Sequence, residues 1–110
     1  MIKLSIETRK LEDIERANER IDDFFTADEK KNSKITLAGK LAAKDAFLKN
    51  IGMAQSSRLY KKLEIDRMPS GRPFIKILDS KLSQKLSGYK VSLSISHTKQ
   101  EAVAICVIYR

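Results

Sequence analysis

Ile2, Leu4 and Ile6 alternate with Lys3, Ser5 and Glu7, the period-2 pattern of a half-buried strand. Helical spacing takes over in Leu11, Ile14, Ala17, Ile21 and Phe24, which predicts an amphipathic helix over roughly 9–24. Its outer face would carry Arg9, Glu12, Arg16, Glu19 and Arg20. Thr26 to Glu29 has the spacing of a capping box for a short helix. Ser33 or Thr36 then begins a helix that runs to about Asn50, with Gly52 as its stop. At 100° per residue, Ala38, Leu41, Ala42, Asp45 and Lys49 share one face of that helix, flanked by Leu37 and Leu48, while Ala43, Phe47 and Ile51 line the opposite side. A helix apolar on nearly every side is a buried one.

The second half reads mainly as strand. Leu59 to Asp66 alternates in part, through Leu63 and Ile65. Met68-Pro69-Ser70-Gly71-Arg72-Pro73 is a turn cluster, and Phe74 to Leu78 predicts the next strand. Asp79 is placed to cap a short helix holding Leu82 and Leu86, ended by Gly88. Val91, Leu93 and Ile95 alternate with serines, the cleanest strand signal in the chain. A turn near Thr98-Lys99-Gln100 leads to a last strand, Ala102 to Tyr109, which is apolar on both faces and so needs cover on both. A chain of 110 residues holds one modest domain, 1–110, with little material left for that cover. An oligomer interface is the expected supplement. The fold class is α+β: antiparallel strands packed with a buried central helix.

Composition changes this picture only a little. With 42% hydrophobic and 33% charged residues the chain is ordinary for a globular protein. No apolar run approaches a membrane span, and Lys3, Glu7, Arg9 and Lys10 interrupt any secretory hydrophobic core, so the expected location is cytoplasmic. Cys106 is the only cysteine and lies in an apolar run, which predicts a buried, unreactive thiol. The formal charge of +8 asks for an acidic partner. The basic residues are scattered and aromatics make up only 6%, so nucleic acid, a reading that rests on charge alone, is the weaker choice.

Candidate chemistry begins at Asp45. A carboxylate inside a buried helix must be protonated, paired or bound to a metal. Its simplest partner is Lys49, at i,i+4. Glu7 closes the first strand, and His97, the only histidine, closes the serine-striped strand Ser94-Ile95-Ser96-His97-Thr98.

In that order these pieces resemble a diverged member of the holo-acyl-carrier-protein synthases, the small trimeric 4'-phosphopantetheinyl transferases. The family's opening G-I-G-x-D corresponds to Lys3-Leu4-Ser5-Ile6-Glu7. Its central F-L-A-G-R-F-A-A-K-E-A-F-S-K corresponds to the stretch from Thr36 to Lys49, its G-K-P turn to Gly71-Arg72-Pro73, and its S-I-S-H-T to Ser94–Thr98. Lys3 and Ser5 replace two family glycines, and the family's metal-binding Asp and Glu are Glu7 and Asp45 here, an exchange of lengths. Gly52-Met53-Ala54 stands where the family has a glycine-rich loop.

The resemblance implies transfer of 4'-phosphopantetheine from coenzyme A to a serine of apo acyl carrier protein, with magnesium as cofactor. It makes Glu7 and Asp45 the metal carboxylates and, with Lys49, the catalytic group. Lys44 and Lys49 would meet phosphates, Arg72 and Pro73 the nucleotide, and His97 and Thr98 coenzyme A across a subunit boundary of a homotrimer. Arg9, Arg16 and Arg20 would face the acidic carrier protein. The proton acceptor stays open between a metal-bound water, Glu29 and a residue of another chain. A catalytically weak module that binds carrier protein or coenzyme A is the alternative.

Overall fold

The computed structural model describes residues 2–110. Strand β1 (Ile2–Lys10) is followed by helix α1 (Leu11–Ala17), a 3-10 segment (Asn18–Asp23), the long helix α2 (Lys34–Asn50) and the single turn α3 (Ser57–Tyr60). Then come β2 (Leu63–Arg67), β3 (Pro73–Ile77), α4 (Ser80–Lys85), β4 (Lys90–His97) and β5 (Glu101–Tyr109). All pairing is antiparallel: β1, β5 and β4 form one sheet in that order, and β2 and β3 form a separate ribbon.

Helix α2 is the centre, as its composition demands. Ser33 caps it by accepting the Thr36 N–H. Its end is a Schellman arrangement: the Gly52 N–H bonds the Lys49 carbonyl at 3.1 Å and the Met53 N–H bonds that of Leu48 at 3.0 Å. Gly52 supplies the φ of +70° this requires. Leu37, Ala38, Leu41, Ala42, Ala43, Ala46, Phe47 and Leu48 are all buried. The helix lies across one face of the three-stranded sheet, where Ala102, Ala104, Cys106 and Ile108 of β5 and Leu93 of β4 meet it.

Four expectations need correction. The helix expected over 9–24 begins two residues later and is cut short, because Arg9 and Lys10 stay in the ladder opposite Ala102 and Glu101. Asn18, at φ +43°, then breaks it into a 3-10 segment. The capping box at Thr26 and Glu29 forms in both directions, yet only one turn of 3-10 helix, Glu29–Lys31, follows it. Leu59 and Tyr60 are helical rather than extended, since Ser56 captures the Leu59 N–H and starts a turn.

The fourth correction concerns β1. Its alternation is real, but the apolar half faces outward: Ile2, Leu4 and Ile6 are 75%, 59% and 53% exposed. The polar half, Ser5, Glu7 and Arg9, faces α2. A polar strip on the helix explains this inversion. The buried Ser5 hydroxyl donates to Asn50 at 2.5 Å, and the Asn50 amide donates to the Cys106 carbonyl at 2.8 Å. Arg9 and Glu7 meet Asp45 and Lys49 on the same strip.

Candidate active site

The seam between β1 and α2 holds Glu7, Asp45 and Lys49 from among the ionised groups that the sequence points to, together with Arg9. Asp45 is only 2% exposed. Its Oδ2 accepts from the Arg9 Nε at 2.6 Å and its Oδ1 from the Tyr60 hydroxyl at 2.5 Å. Arg9 Nη2 also lies 3.4 Å from that hydroxyl, which closes the ring of three side chains. Burial works against the Arg9 charge, but the bond to Asp45 and its field outweigh that and push the guanidinium pKa further up. Burial first, and then the bond to Asp45, hold the Tyr60 phenol far above its usual range, so it stays a proton donor.

Glu7, two residues before Arg9 on the same strand face, sits 3.4 Å from the Lys49 ammonium. The Asp45–Lys49 pair suggested by helical spacing therefore does not form. The two cations are shared out differently: Arg9 goes to the buried carboxylate, and the 64% exposed Lys49 goes to Glu7 at the rim.

Lys44 is not placed to meet a phosphate. It is fully buried, and its ammonium donates to the Phe24 carbonyl at 2.8 Å, to Glu29 at 2.7 Å and to the Tyr60 carbonyl at 3.1 Å. Those three bonds use all its donors. Burial lowers its pKa, against the pull of Glu29. The other Glu29 oxygen accepts the Ile65 N–H at 2.8 Å, so this carboxylate ties a loop, α2 and β2 together. Glu29 is 1% exposed and pinned, which removes it as a proton acceptor for an outside hydroxyl.

His97 and Thr98 lie at the exposed end of β4, with Thr8, Ser96 and Glu101 around a shallow depression of about 330 Å³. His97, Ala102 and Arg9 form one row across the three strands. Two strand spacings put His97 roughly 10 Å from the Arg9 backbone, on the same face of the sheet. Arg72 and Pro73 are elsewhere: Arg72 Nη2 reaches the Ser92 hydroxyl at 3.3 Å, and Ser92 is roughly 17 Å along β4 from His97. Within one chain, then, Glu7, Lys49 and Asp45 come together, His97 and Thr98 border the same end, and Arg72 and Pro73 do not join them.

For two members of the seam the sequence pattern points elsewhere, placing Arg9 on a helix surface and Tyr60 in a strand. The signal for Arg9 was available in the continued alternation Ser5, Glu7, Arg9. Tyr60 had no comparable signal.

Magnesium needs near-octahedral oxygen ligands at about 2.0–2.1 Å and gives up water reluctantly. Both Asp45 oxygens already serve protein donors, one of them a guanidinium, and Glu7 holds Lys49. Among the described residues no three His, Cys, Asp or Glu side chains gather as metal ligands. Arranged this way, the donor set does not fit an ion shared by Glu7 and Asp45.

No family model matches the chain. It is 38% identical over 108 aligned positions to the holo-acyl-carrier-protein synthase of Bacillus pumilus, covering 97% of this chain and 83% of that protein. With the holo-acyl-carrier-protein synthase of Clostridium kluyveri it shares 35% over 113 positions, 94% of this chain and 84% of the relative. Among solved structures, the Neisseria meningitidis holo-acyl-carrier-protein synthase matches with a TM-score of 0.84 at 25% identity, over 100% of both chains. The Helicobacter pylori enzyme in complex with coenzyme A matches at 0.76 and 25% identity, over 98% of this chain and 99% of that one.

Proposed function

The chain belongs to the holo-acyl-carrier-protein synthases, and from that membership we propose that it moves the 4'-phosphopantetheine arm of coenzyme A onto a serine of an apo acyl carrier protein. The observation that carries this reading is the end-to-end likeness to a relative whose structure holds coenzyme A, joined to a charged seam at the matching carboxylates.

The serine oxygen attacks the phosphorus that bears the pantetheine arm, and the bond from that phosphorus to the bridging pyrophosphate oxygen breaks. Adenosine 3',5'-bisphosphate leaves with that oxygen, and the serine proton passes to the departing phosphate or to water. Catalysis of such a step is mainly positioning and charge neutralisation. Lys49, long and exposed, is the cation free to swing from Glu7 to a phosphate oxygen. Arg9 is 29% exposed at its side chain and offers further donors at the same seam. His97 shares a row with Arg9 and, with Thr98, borders a depression that opens towards the outer face of the sheet through Thr8, Ser96 and Val103; both suit the coenzyme, while Arg72 and Pro73 would act on the nucleotide from another copy. The family resemblance adds a magnesium ion between Glu7 and Asp45. The donor set speaks against that ion, and no step above passes through it.

A trimer fits the same reading. The sheet face away from α2 presents Ile2, Leu4 and Ile6 beside the half-buried Val103, Ile105 and Val107, an apolar patch of the kind that interfaces cover. The number three rests on the family resemblance. The acidic carrier protein suits the charge of +8 and the exposed Arg16 and Arg20. Arg9 is no part of that surface, because it is turned inward to Asp45.

Mass spectrometry of apo carrier protein incubated with this protein and coenzyme A, with and without magnesium, tests the reading. A phosphopantetheine increment is expected. The pairing of both carboxylates with protein cations favours a second reading, a module that binds coenzyme A without turnover. Calorimetric binding of coenzyme A with no mass increment would establish that alternative.

A further inference from the structure

Arg9 sits where a metal-built seam would need open carboxylate oxygens. We propose that Arg9 is a built-in replacement for a divalent cation at Asp45, so that Asp45 is not a magnesium ligand in this chain. The inference deepens the proposed phosphopantetheinyl transfer and rests on reading the β1–α2 seam as its site.

Three observations carry it. First, the bonding around Asp45 is closed: Arg9 Nε holds one oxygen, the Tyr60 hydroxyl holds the other, and Arg9 Nη2 reaches back to Tyr60. At 2% exposure the carboxylate has no side left open to hydrated ligands. Second, the charges balance without an ion. Glu7 and Asp45 carry two negative charges, and Lys49 and Arg9 carry two positive ones, the sum a divalent metal would supply. A further +2 would enter a neutral cluster in a chain already at +8. Third, the guanidinium is the better tenant. It is always charged, planar and weakly hydrated, so burying it against a carboxylate costs less than burying a strongly hydrated ion. Its Nη1 has no hydrogen-bond partner among the described residues, and Arg9 is part-exposed, so this group remains to bind a phosphate oxygen.

Removing the guanidinium would leave a buried carboxylate with one neutral donor, a site that demands a cation. The test is binding of Mn2+ alone, followed by electron paramagnetic resonance, to the parent, Asp45→Asn, Arg9→Met and the Arg9→Met/Asp45→Asn double variant. Arg9→Gln, which keeps a donor for Asp45 but not the charge, stands in where Arg9→Met does not fold. The parent and Asp45→Asn are expected to bind Mn2+ equally weakly. The Arg9 variant is expected to bind it at least about tenfold more tightly, a gain of about 1.4 kcal/mol that vanishes when Asp45 is also replaced. A parent site lost in Asp45→Asn, or an Arg9 variant with no gain, would overturn the proposal. Carrier-protein transfer is followed separately on the parent. Its absence under every condition would remove the transferase reading, while the Mn2+ series still decides the role of Arg9.

Discussion

Lys44 is accommodated in the core because three oxygens surround its terminal nitrogen, one of them from the equally buried Glu29. Replacing it with Met strands the Glu29 carboxylate. Urea titration of Lys44→Met is expected to show a loss of about 3–5 kcal/mol, partly recovered in Lys44→Met/Glu29→Gln. Cys106 makes a second prediction. Burial raises its thiol from an ordinary 9.0 to about 11, against a small opposing pull from Asn50. Its folded pKa lies above the unfolded one, so its contribution is complete below about pH 9 and is lost as pH climbs towards about 11. Cys106→Ala should flatten the fall in stability between pH 8 and pH 11, and thiol reagents should label the parent only after denaturation. At this scale the sequence announced needs rather than partners. Asp45 plainly required a proton, a cation or a metal, and the thiol plainly belonged inside. That Arg9 answers Asp45 depends on a strand and a helix far apart in the chain, which no local spacing encodes.

Helix α2 packs closely on β4 because Gly39 has no side chain. A methyl added there would stand 2.7 Å from the Ile95 Cγ2. That carbon belongs to a β-branched residue with little freedom to turn away. Gly39→Ala is therefore expected to lose about 1–3 kcal/mol in a thermal or urea melt despite its better helix propensity. Gly39→Ala/Ile95→Ala should lose less than the sum of its parts; strict additivity would show that the contact is relieved elsewhere. Elements with local signals were legible in advance. Ser33, Gly52, Asp79 and the turn at Gly71 mark boundaries where the structure has them. The sidedness of β1 was not, because alternation gives a period and leaves open which half is inside. Asp45, Lys49 and Asn50 on α2 decide that, and their strip is visible only once the helix is laid on the strand. The start of α1 differs for a related reason, since pairing with β5 claims Arg9 and Lys10, while its early end is set by the left-handed Asn18.

For the whole molecule, the apolar face of the sheet is the feature a lone chain does not explain. Ile6→Lys places a charge at its middle without touching the α2 side. Sedimentation equilibrium should show this variant as a monomer at concentrations where the parent assembles, with its far-ultraviolet circular dichroism unchanged. Transfer activity should fall with the assembly if residues from two copies share a site. A parent that is itself monomeric at micromolar concentration would refute the interface. Fold class and family were readable from sequence because the central helix, the glycine–proline turn and the serine-striped strand are each local and occur in order. The distribution of the site was harder to read, because Arg72 is placed by the turn between β2 and β3 and His97 by the end of β4.

Every rung between β1 and β5 joins one of the first ten residues to one beyond position 100. The strand that completes the three-stranded sheet thus waits for the longest closure the chain can make, an entropic cost of about 4 kcal/mol for a loop of roughly 90 residues. Refolding should accordingly be slow for a protein of this size, with registration of these two strands as its limiting event. Because Ile2 lies opposite Tyr109, the two ends of the described residues are neighbours. A circular permutant that bridges them with a short turn, and opens instead at Ser70–Gly71, converts that distant pairing into a hairpin. Stopped-flow refolding of the permutant should be faster than that of the parent, with unfolding little changed. Equal rates would move the barrier to the docking of α2.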